Sequence, residues 1–267
     1  MNVYLFMTKS VDGTSANRIA KMLSNEVETR SDFYKAAVDR HEELWKDENC
    51  QEWYKAQYRK RFEKSQDKQA FSRKEAIFTQ TCQSRIVIGQ GQPSVLETHT
   101  TLHPIYGFPY LPGTAIKGMA AHYCHQELGE QNSDFRMDGS YYPILFGDTN
   151  QAAAIQYEDA WLEPKAVKNA LCCDVLTPHH RNYQQLQIDS DGNSGKAGLK
   201  NAPRDDDSPN PVPFLAVAGS FTFKLTLNPE AYGMEEWLPI AERIVKAALV
   251  RRGLGGKTSA SYGIFKE

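Results

Sequence analysis

The chain has 267 residues, 40% of them hydrophobic, 11% aromatic and 24% charged, with a formal net charge of −2. Such a chain can bury the core of one elaborated soluble domain, or at most two, and its near-neutral charge argues against a protein that grips nucleic acid with its whole surface, leaving room for a local basic strip. No apolar run reaches the length of a membrane span and the start is too polar for a secretory signal, so no membrane and a cytoplasmic location are expected. Residues 31–74 are highly charged and hold no proline or glycine, and Phe33, Ala37, Leu44, Trp45, Trp53, Tyr54, Tyr58 and Phe62 recur roughly at helical spacing. One or two long amphipathic helices are expected there, with either a solvated charged face or an aromatic stripe that docks on a neighbouring subunit. Residues 85–89 read as a short β-rich run, residues 114–128 as a helix with Ile116, Met119, Ala120 and Tyr123 on one face, and residues 152–161 as a strand or hairpin. Phe221, Phe223, Leu225 and Leu227 alternate with Thr222, Lys224 and Thr226, the pattern of a half-buried strand. Residues 235–250 carry Trp237, Ala241, Ile244, Val245 and Ala248 at helical spacing, and residues 258–265 are expected to close as a strand. The order β-α-β-β-α-β predicts an α+β, ferredoxin-like (RRM-type) domain over residues 81–267 behind a helical extension at 1–80. Residues 165–213 are a long polar insertion punctuated by Gly192, Gly195, Gly198, Pro203, Pro209, Pro211 and Pro213.

Two segments carry chemistry. In the first, Arg251, Arg252, Gly253, Leu254, Gly255, Gly256, Lys257, Thr258, Ser259, Ala260, Ser261, Tyr262 and Gly263 form a glycine-rich loop with basic residues on both sides. Its glycines permit positive φ and are expected to leave bare N–H groups pointing outward, while Arg251, Arg252 and Lys257 add charge, which suits a phosphate chain. A nucleotide P-loop needs a glycine where Arg251 stands, and a dinucleotide fold needs one where Thr258 stands with a strand-to-helix turn. Here a helix leads in and a strand is expected to lead out, so a polyanion lying across the loop fits better. In the second segment, Pro112 and Gly113 end an extended run, Thr114 is placed to cap the helix, and Lys117 sits in its first turn. A cation at the positive end of a helix dipole makes sense where an anion such as RNA phosphate occupies the spot; the alternative is an ordinary surface lysine.

Five cysteines, at 50, 82, 124, 172 and 173, are an odd number with no Cys-x-x-Cys pair, so reduced thiols are expected. His99 with His103, His122 with His125, and Cys172, Cys173, His179 and His180 lack the paired spacing of a structural zinc site, and Asp205, Asp206 and Asp207 cannot all face one ion. No metal and no cofactor are expected. His179 and His180 are followed by Arg181 and Tyr183, a set suited to phosphate contact or base stacking.

Together the Pro112, Gly113, Thr114, Ile116, Lys117, Gly118 helix start and the C-terminal glycine loop resemble the RAMP superfamily of CRISPR proteins, in the family's order. Ser84, Arg85, Ile86, Val87, Ile88, Gly89, Gln90 and Gly91, then Glu97 and Thr98, and then Leu102, His103, Pro104, Ile105, Tyr106 and Gly107 are similar to the sixth-subunit family of type III-B (Cmr) effector complexes. Asp174, Val175, Leu176, Thr177, Pro178 and His179, with Asn210, Pro211, Val212, Pro213 and Phe214, extend the resemblance, which covers residues 84–265. It implies a non-catalytic RNA-binding subunit that holds CRISPR RNA (crRNA) toward its 3′ end and caps the backbone filament. Implied partners are crRNA, target RNA, backbone RAMP subunits, the small subunit and the terminal RAMP subunit, with a thumb-like hairpin in the 165–213 insertion. The implied RNA contacts are Arg85, Gly113, Thr114, Lys117, His179, Arg181, Arg251, Arg252, Gly253, Gly255, Gly256, Lys257, Thr258, Ser259 and Tyr262. A ribonuclease is the runner-up, because some RAMP proteins cut RNA with a histidine or a loop aspartate. Between Gln90 and Pro112 this chain has Glu97 and His99 but no aspartate, which favours binding over cutting. A small-molecule enzyme using the glycine loop is a third reading and requires a pocket beside it.

Overall fold

The computed structural model describes residues 2–9, 27–63, 74–91, 98–177 and 211–267. Charge without proline or glycine becomes helix: after α1 (Val3–Lys9), the chain forms α2 (Val27–Leu44) and α3 (Glu48–Phe62). They part at Asp47, whose carboxylate accepts the Asn49 N–H and caps α3. There follow β1 (Glu75–Thr81), β2 (Tyr110–Leu111), α4 (Gly113–Tyr123), α5 (Tyr141–Phe146), β3 (Ile155–Tyr157) and β4 (Ala160–Leu162). The described chain closes with β5 (Leu171–Leu176), β6 (Val212–Val217), β7 (Ser220–Leu227) and α6 (Trp237–Arg251). The result is a mixed helix and sheet architecture.

Strand β7 is the spine of the sheet. It pairs antiparallel with β1 over its whole length on one edge, from Ser220 opposite Thr81 to Thr226 opposite Glu75, and with β3 and then β4 on the other. Strand β2 completes the order β1-β7-β4-β2. Phe221, Phe223 and Leu225 point to one face and are buried beneath α6, which contributes Ala241, Val245, Ala248 and Leu249 and also touches β1 and α4. Cross-strand Phe78 and Phe223 stack at 5.2 Å, and Phe265 closes the layer against both Phe221 and Phe223.

The opposite face of β7 is not left in solvent, as a half-buried strand would be. Thr222 and Thr226 are only 2% and 1% exposed: α3 reaches Thr222, and the Thr226 hydroxyl donates to Glu158 at 2.9 Å. The Tyr58 hydroxyl bonds Thr222, the Tyr54 hydroxyl donates to the Leu162 carbonyl at 2.7 Å, and Lys224 reaches Glu75 at 2.9 Å. The Arg61 guanidinium sits 4.9 Å from the Trp161 ring centroid. Most of the aromatic stripe of the charged helices is therefore core of its own chain, while Trp53 stays 42% exposed.

Two expected strands are corrected. Residues 85–89 make only the isolated bridges Ile86 to Val217 and Val87 to Gly256, while the strand that pairs with β7 starts ten residues earlier, at Glu75. Residues 258–265 form a 3-10 turn, Thr258–Ala260, and retain only the bridge from Phe265 to Cys82. Positive φ at Lys257, Ser261 and Gly263 folds the chain back on itself and cannot be carried in a strand. The expected helix at 114–128 starts at Gly113, is α to Tyr123, and widens into a π turn, Cys124–Leu128. Of residues 165–213, the ends Leu171–Leu176 and Val212–Val217 pair antiparallel as a ribbon on which α2 packs, with the His41 Nε2 bonded to the Val167 carbonyl at 2.7 Å. Residues 178–210, with His179, Arg181, Tyr183 and Asp205 to Asp207, lie outside the described residues, as does Glu97.

Candidate nucleic-acid interface

The loop after α6 is built by glycines that make room for backbone. Gly253 and Gly255 have φ of +75° and +103°, and a Cβ on Gly255 would stand 2.3 Å from the Val87 carbonyl oxygen. At Gly256 the nearest atom to such a Cβ is 3.6 Å away, an ordinary contact, so only its neighbour is sterically obligate. The loop N–H groups were expected to point outward as a set, and most do not. Gly256 donates to Val87, Gly253 to Ala248, Leu254 to Gly263 and Gly263 to Arg85. The N–H groups of Gly255, Lys257, Thr258 and Ser259 have no acceptor among the described residues. Lys257 holds φ +60° and ψ +32°, a left-handed conformation that a lysine adopts only when its surroundings impose it. The open donors thus sit at the turn after the glycines, beside an exposed ammonium.

A cleft of ≈ 370 Å³ separates this loop from α4, lined by Ala115, Met119 and His122 on the helix and by Arg252, Gly253, Leu254, Gly255 and Thr258 on the loop. The start of α4 and the glycine loop are therefore neighbours. Lys117 does not line the cleft, because residues 115, 119 and 122 share one helical face and 117 falls outside it. At the head of α4 the cap residue is Pro112, not Thr114, and the Asp159 carboxylate accepts the Gly113 N–H at 2.8 Å. A Cβ on Gly113 would meet the Tyr157 carbonyl oxygen at 2.1 Å. Glycine there serves close packing against β3, and a side chain of the protein already occupies the helix dipole.

Carboxylates also hold the arginines. Arg252 donates from Nε to Glu127, and Arg251 reaches the other oxygen of Glu127 at 3.6 Å. Arg85 pairs with Asp174 at 2.9 Å, and the Tyr262 hydroxyl donates to the same carboxylate at 2.9 Å. Burial works against that carboxylate, but the Val175 N–H, Arg85 and Tyr262 outweigh it and hold Asp174 below the usual range; Tyr262 is pushed up by burial and by bonding to Asp174. This triad ties the last segment of the chain to β5. Among the described residues Lys117 and Lys257 have no ion-pair partner. Sequence spacing singled out the arginines but missed Glu127 and Asp174 as their counterparts, since each sits far away along the chain.

Elsewhere, His103 stacks on Tyr106 at 4.2 Å inside an aromatic cluster with Phe108 and Trp161, and burial lowers its pKa. His125 accepts the Met137 N–H at 3.2 Å. His99 has a buried Nδ1 with no partner among the described residues. Among those residues no three His, Cys, Asp or Glu are grouped to hold a metal ion, and no helix is long and apolar enough to cross a membrane.

Comparison with known proteins gives the same direction as the motifs. A model of the RAMP superfamily matches residues 79–266. Two curated relatives are similar: the CRISPR system Cmr subunit Cmr6 of Pyrococcus furiosus, 29% identical over 68% of this chain and 64% of its own length, and that of Saccharolobus solfataricus, 25% identical over 71% and 56%. The chain thus spans less than two thirds of each. Among solved structures, a chain of the cryo-EM structure of the Type III-B Cmr-beta bound to cognate target RNA superposes with a TM-score of 0.50 at 20% identity, covering 99% of this chain and 86% of that one. At that identity the likeness is one of fold.

Proposed function

Because the chain belongs to the RAMP superfamily and is Cmr6-like within it, we propose that it is a non-catalytic RNA-binding subunit of a cytoplasmic type III-B CRISPR effector complex. In this reading a ferredoxin-like RAMP domain, residues 81–267, carries an N-terminal helical extension and a thumb-like insertion at 165–213. It holds crRNA toward the 3′ end, beside target RNA, and caps the filament of backbone subunits next to the small and terminal RAMP subunits. The observation that carries it is the turn after the glycines: unpaired N–H groups at Gly255, Lys257, Thr258 and Ser259, an ammonium without a partner among the described residues, and an open cleft alongside. Donors of this kind recognise phosphate and carry no base code, which suits a subunit that must serve many guides. In this reading His179 and Arg181, which lie outside the described residues, contact the same RNA.

Co-purification tests the reading. RNA and Cmr partner subunits should accompany the tagged chain from its native cells, and a lone monomer free of nucleic acid would contradict it. The buried Nδ1 of His99, without a partner among the described residues, supports ribonuclease as the second reading. A His99→Ala complex, matched for assembly, should cut target RNA normally; a loss of orders of magnitude with RNA binding intact, and an imidazole in the pH profile, would select the second reading.

A further inference from the structure

The two exposed arginines of the glycine loop share one internal carboxylate. Glu127 stands on the π turn that ends α4, 27% exposed, and its partners are Arg251 and Arg252, which are 64% and 42% exposed. One negative charge set between two guanidiniums leaves the mouth of the cleft with a positive excess. Beside Arg252 the loop side of the cleft is lined by Gly253, Leu254, Gly255 and Thr258, and two glycines there leave room for an anion.

The Asp174 pair is built differently. That carboxylate takes the Val175 N–H, the Tyr262 hydroxyl and the Arg85 guanidinium, each at 2.9 Å, so one cation meets one anion already held by two further donors. Glu127 has no donor besides the arginines among the described residues. Solvent-exposed pairs of this kind are weak, and a phosphate offers the same two-oxygen geometry to a guanidinium with its charge spread over more acceptors. Wide π turns are also frequent at functional positions, because they displace a side chain from the regular helical row.

We infer that Glu127 is an internal stand-in for a phosphate group of the RNA backbone. It holds Arg251 and Arg252 in place in the free chain, gives way to phosphate on binding, and thereby limits affinity. The inference rests on the RNA-binding reading above and adds a residue that acts against the ligand. It makes Glu127 a positioning residue, not a contact.

The test is Glu127→Gln, which keeps the length of the side chain and one acceptor oxygen while removing the charge. With a fluorescein-labelled single-stranded RNA of mixed sequence, the variant should bind roughly threefold to tenfold more tightly than wild type, and its log K against log salt should steepen by about 0.7. Binding that is unchanged or weaker would overturn the inference, because it would make Glu127 a simple support for the arginines. In an Arg251→Ala, Arg252→Ala background the same substitution should change nothing; a gain that persists there would reveal general repulsion and overturn displacement. Inorganic tripolyphosphate serves as a second probe. A wild-type chain that ignores RNA but binds tripolyphosphate, more tightly as Glu127→Gln, would sink the RNA reading while sustaining the role of Glu127.

Discussion

At the start of α4 the Asp159 carboxylate takes the Gly113 N–H at 2.8 Å, whereas around Lys257 four N–H groups have no acceptor among the described residues. Both regions set glycine and lysine at a helix end, and in both the glycine is required by a nearby carbonyl oxygen, of Tyr157 for Gly113 and of Val87 for Gly255. What differs is the donors left over. At the α4 start the N–H groups of Gly113, Ala115 and Ile116 are bonded within the chain and the glycine serves packing; the turn around Lys257 keeps its four donors open and adds a lysine in a left-handed conformation. Glycine marks close approach in each case, and it is the unsatisfied backbone beside it that marks a site for an anion.

The largest effect that can break this contrast is Gly255→Val. A side chain at φ +103° with its Cβ against the Val87 oxygen should cost roughly 3 kcal/mol or more in denaturant unfolding, while Gly256→Ala stays within about 1 kcal/mol. Equal losses at the two positions would show that crowding does not decide which glycine the loop needs.

Acid tests another condition, that α2 stays closed over the β5–β6 ribbon so that RNA is confined to the loop. His41, on α2, is fully buried, and burial lowers its pKa from 6.5 to about 4 against the raising effect of the Val167 carbonyl. The folded-state value lies below the unfolded one, so the unfolded chain takes up the proton first. Stability is complete above about pH 6.5 and should fall by on the order of 3 kcal/mol as pH drops to about 4. Chemical unfolding at a series of pH values measures this, and a His41→Gln chain should lose most of the slope. A wild-type stability flat over that window would mean the helical layer is not packed as described.

A smaller effect separates stability from binding. Asp159→Ala removes the acceptor for Gly113 and should cost about 1 kcal/mol of stability, with RNA affinity unchanged. A variant of normal stability with altered RNA affinity would return the α4 start to the interface.

Much of this was legible in the chain. The alternation at 221–227 and the helical spacing at 235–250 led to β7 and α6 because each buries a face whose period survives in the sequence. The lack of proline and glycine in 31–74 led to α2 and α3, but that the aromatic stripe covers β7 depends on Tyr54 and Tyr58 meeting Leu162 and Thr222, contacts spanning 108 and 164 positions. Residues 258–265 read as a strand because Tyr262, Ile264 and Phe265 are strand formers, and no local pattern announced the left-handed Lys257 and Ser261. At the site, the glycines and cations stood out at once. The acids that occupy Arg85, Arg252 and Gly113, namely Asp174, Glu127 and Asp159, are 89, 125 and 46 positions away and become visible only in the folded chain.

The most direct test of the account is the RNA affinity of Lys257→Ala beside that of Lys117→Ala, measured with several unrelated single-stranded RNAs over a range of salt. Lys257→Ala should weaken every RNA alike, roughly threefold to tenfold, and reduce the salt slope by about 0.7, the share of one phosphate contact on a single strand, while Lys117→Ala changes little. A loss at Lys257 that varied with RNA sequence, or a larger loss at Lys117 than at Lys257, would contradict a backbone-reading turn behind the glycine loop.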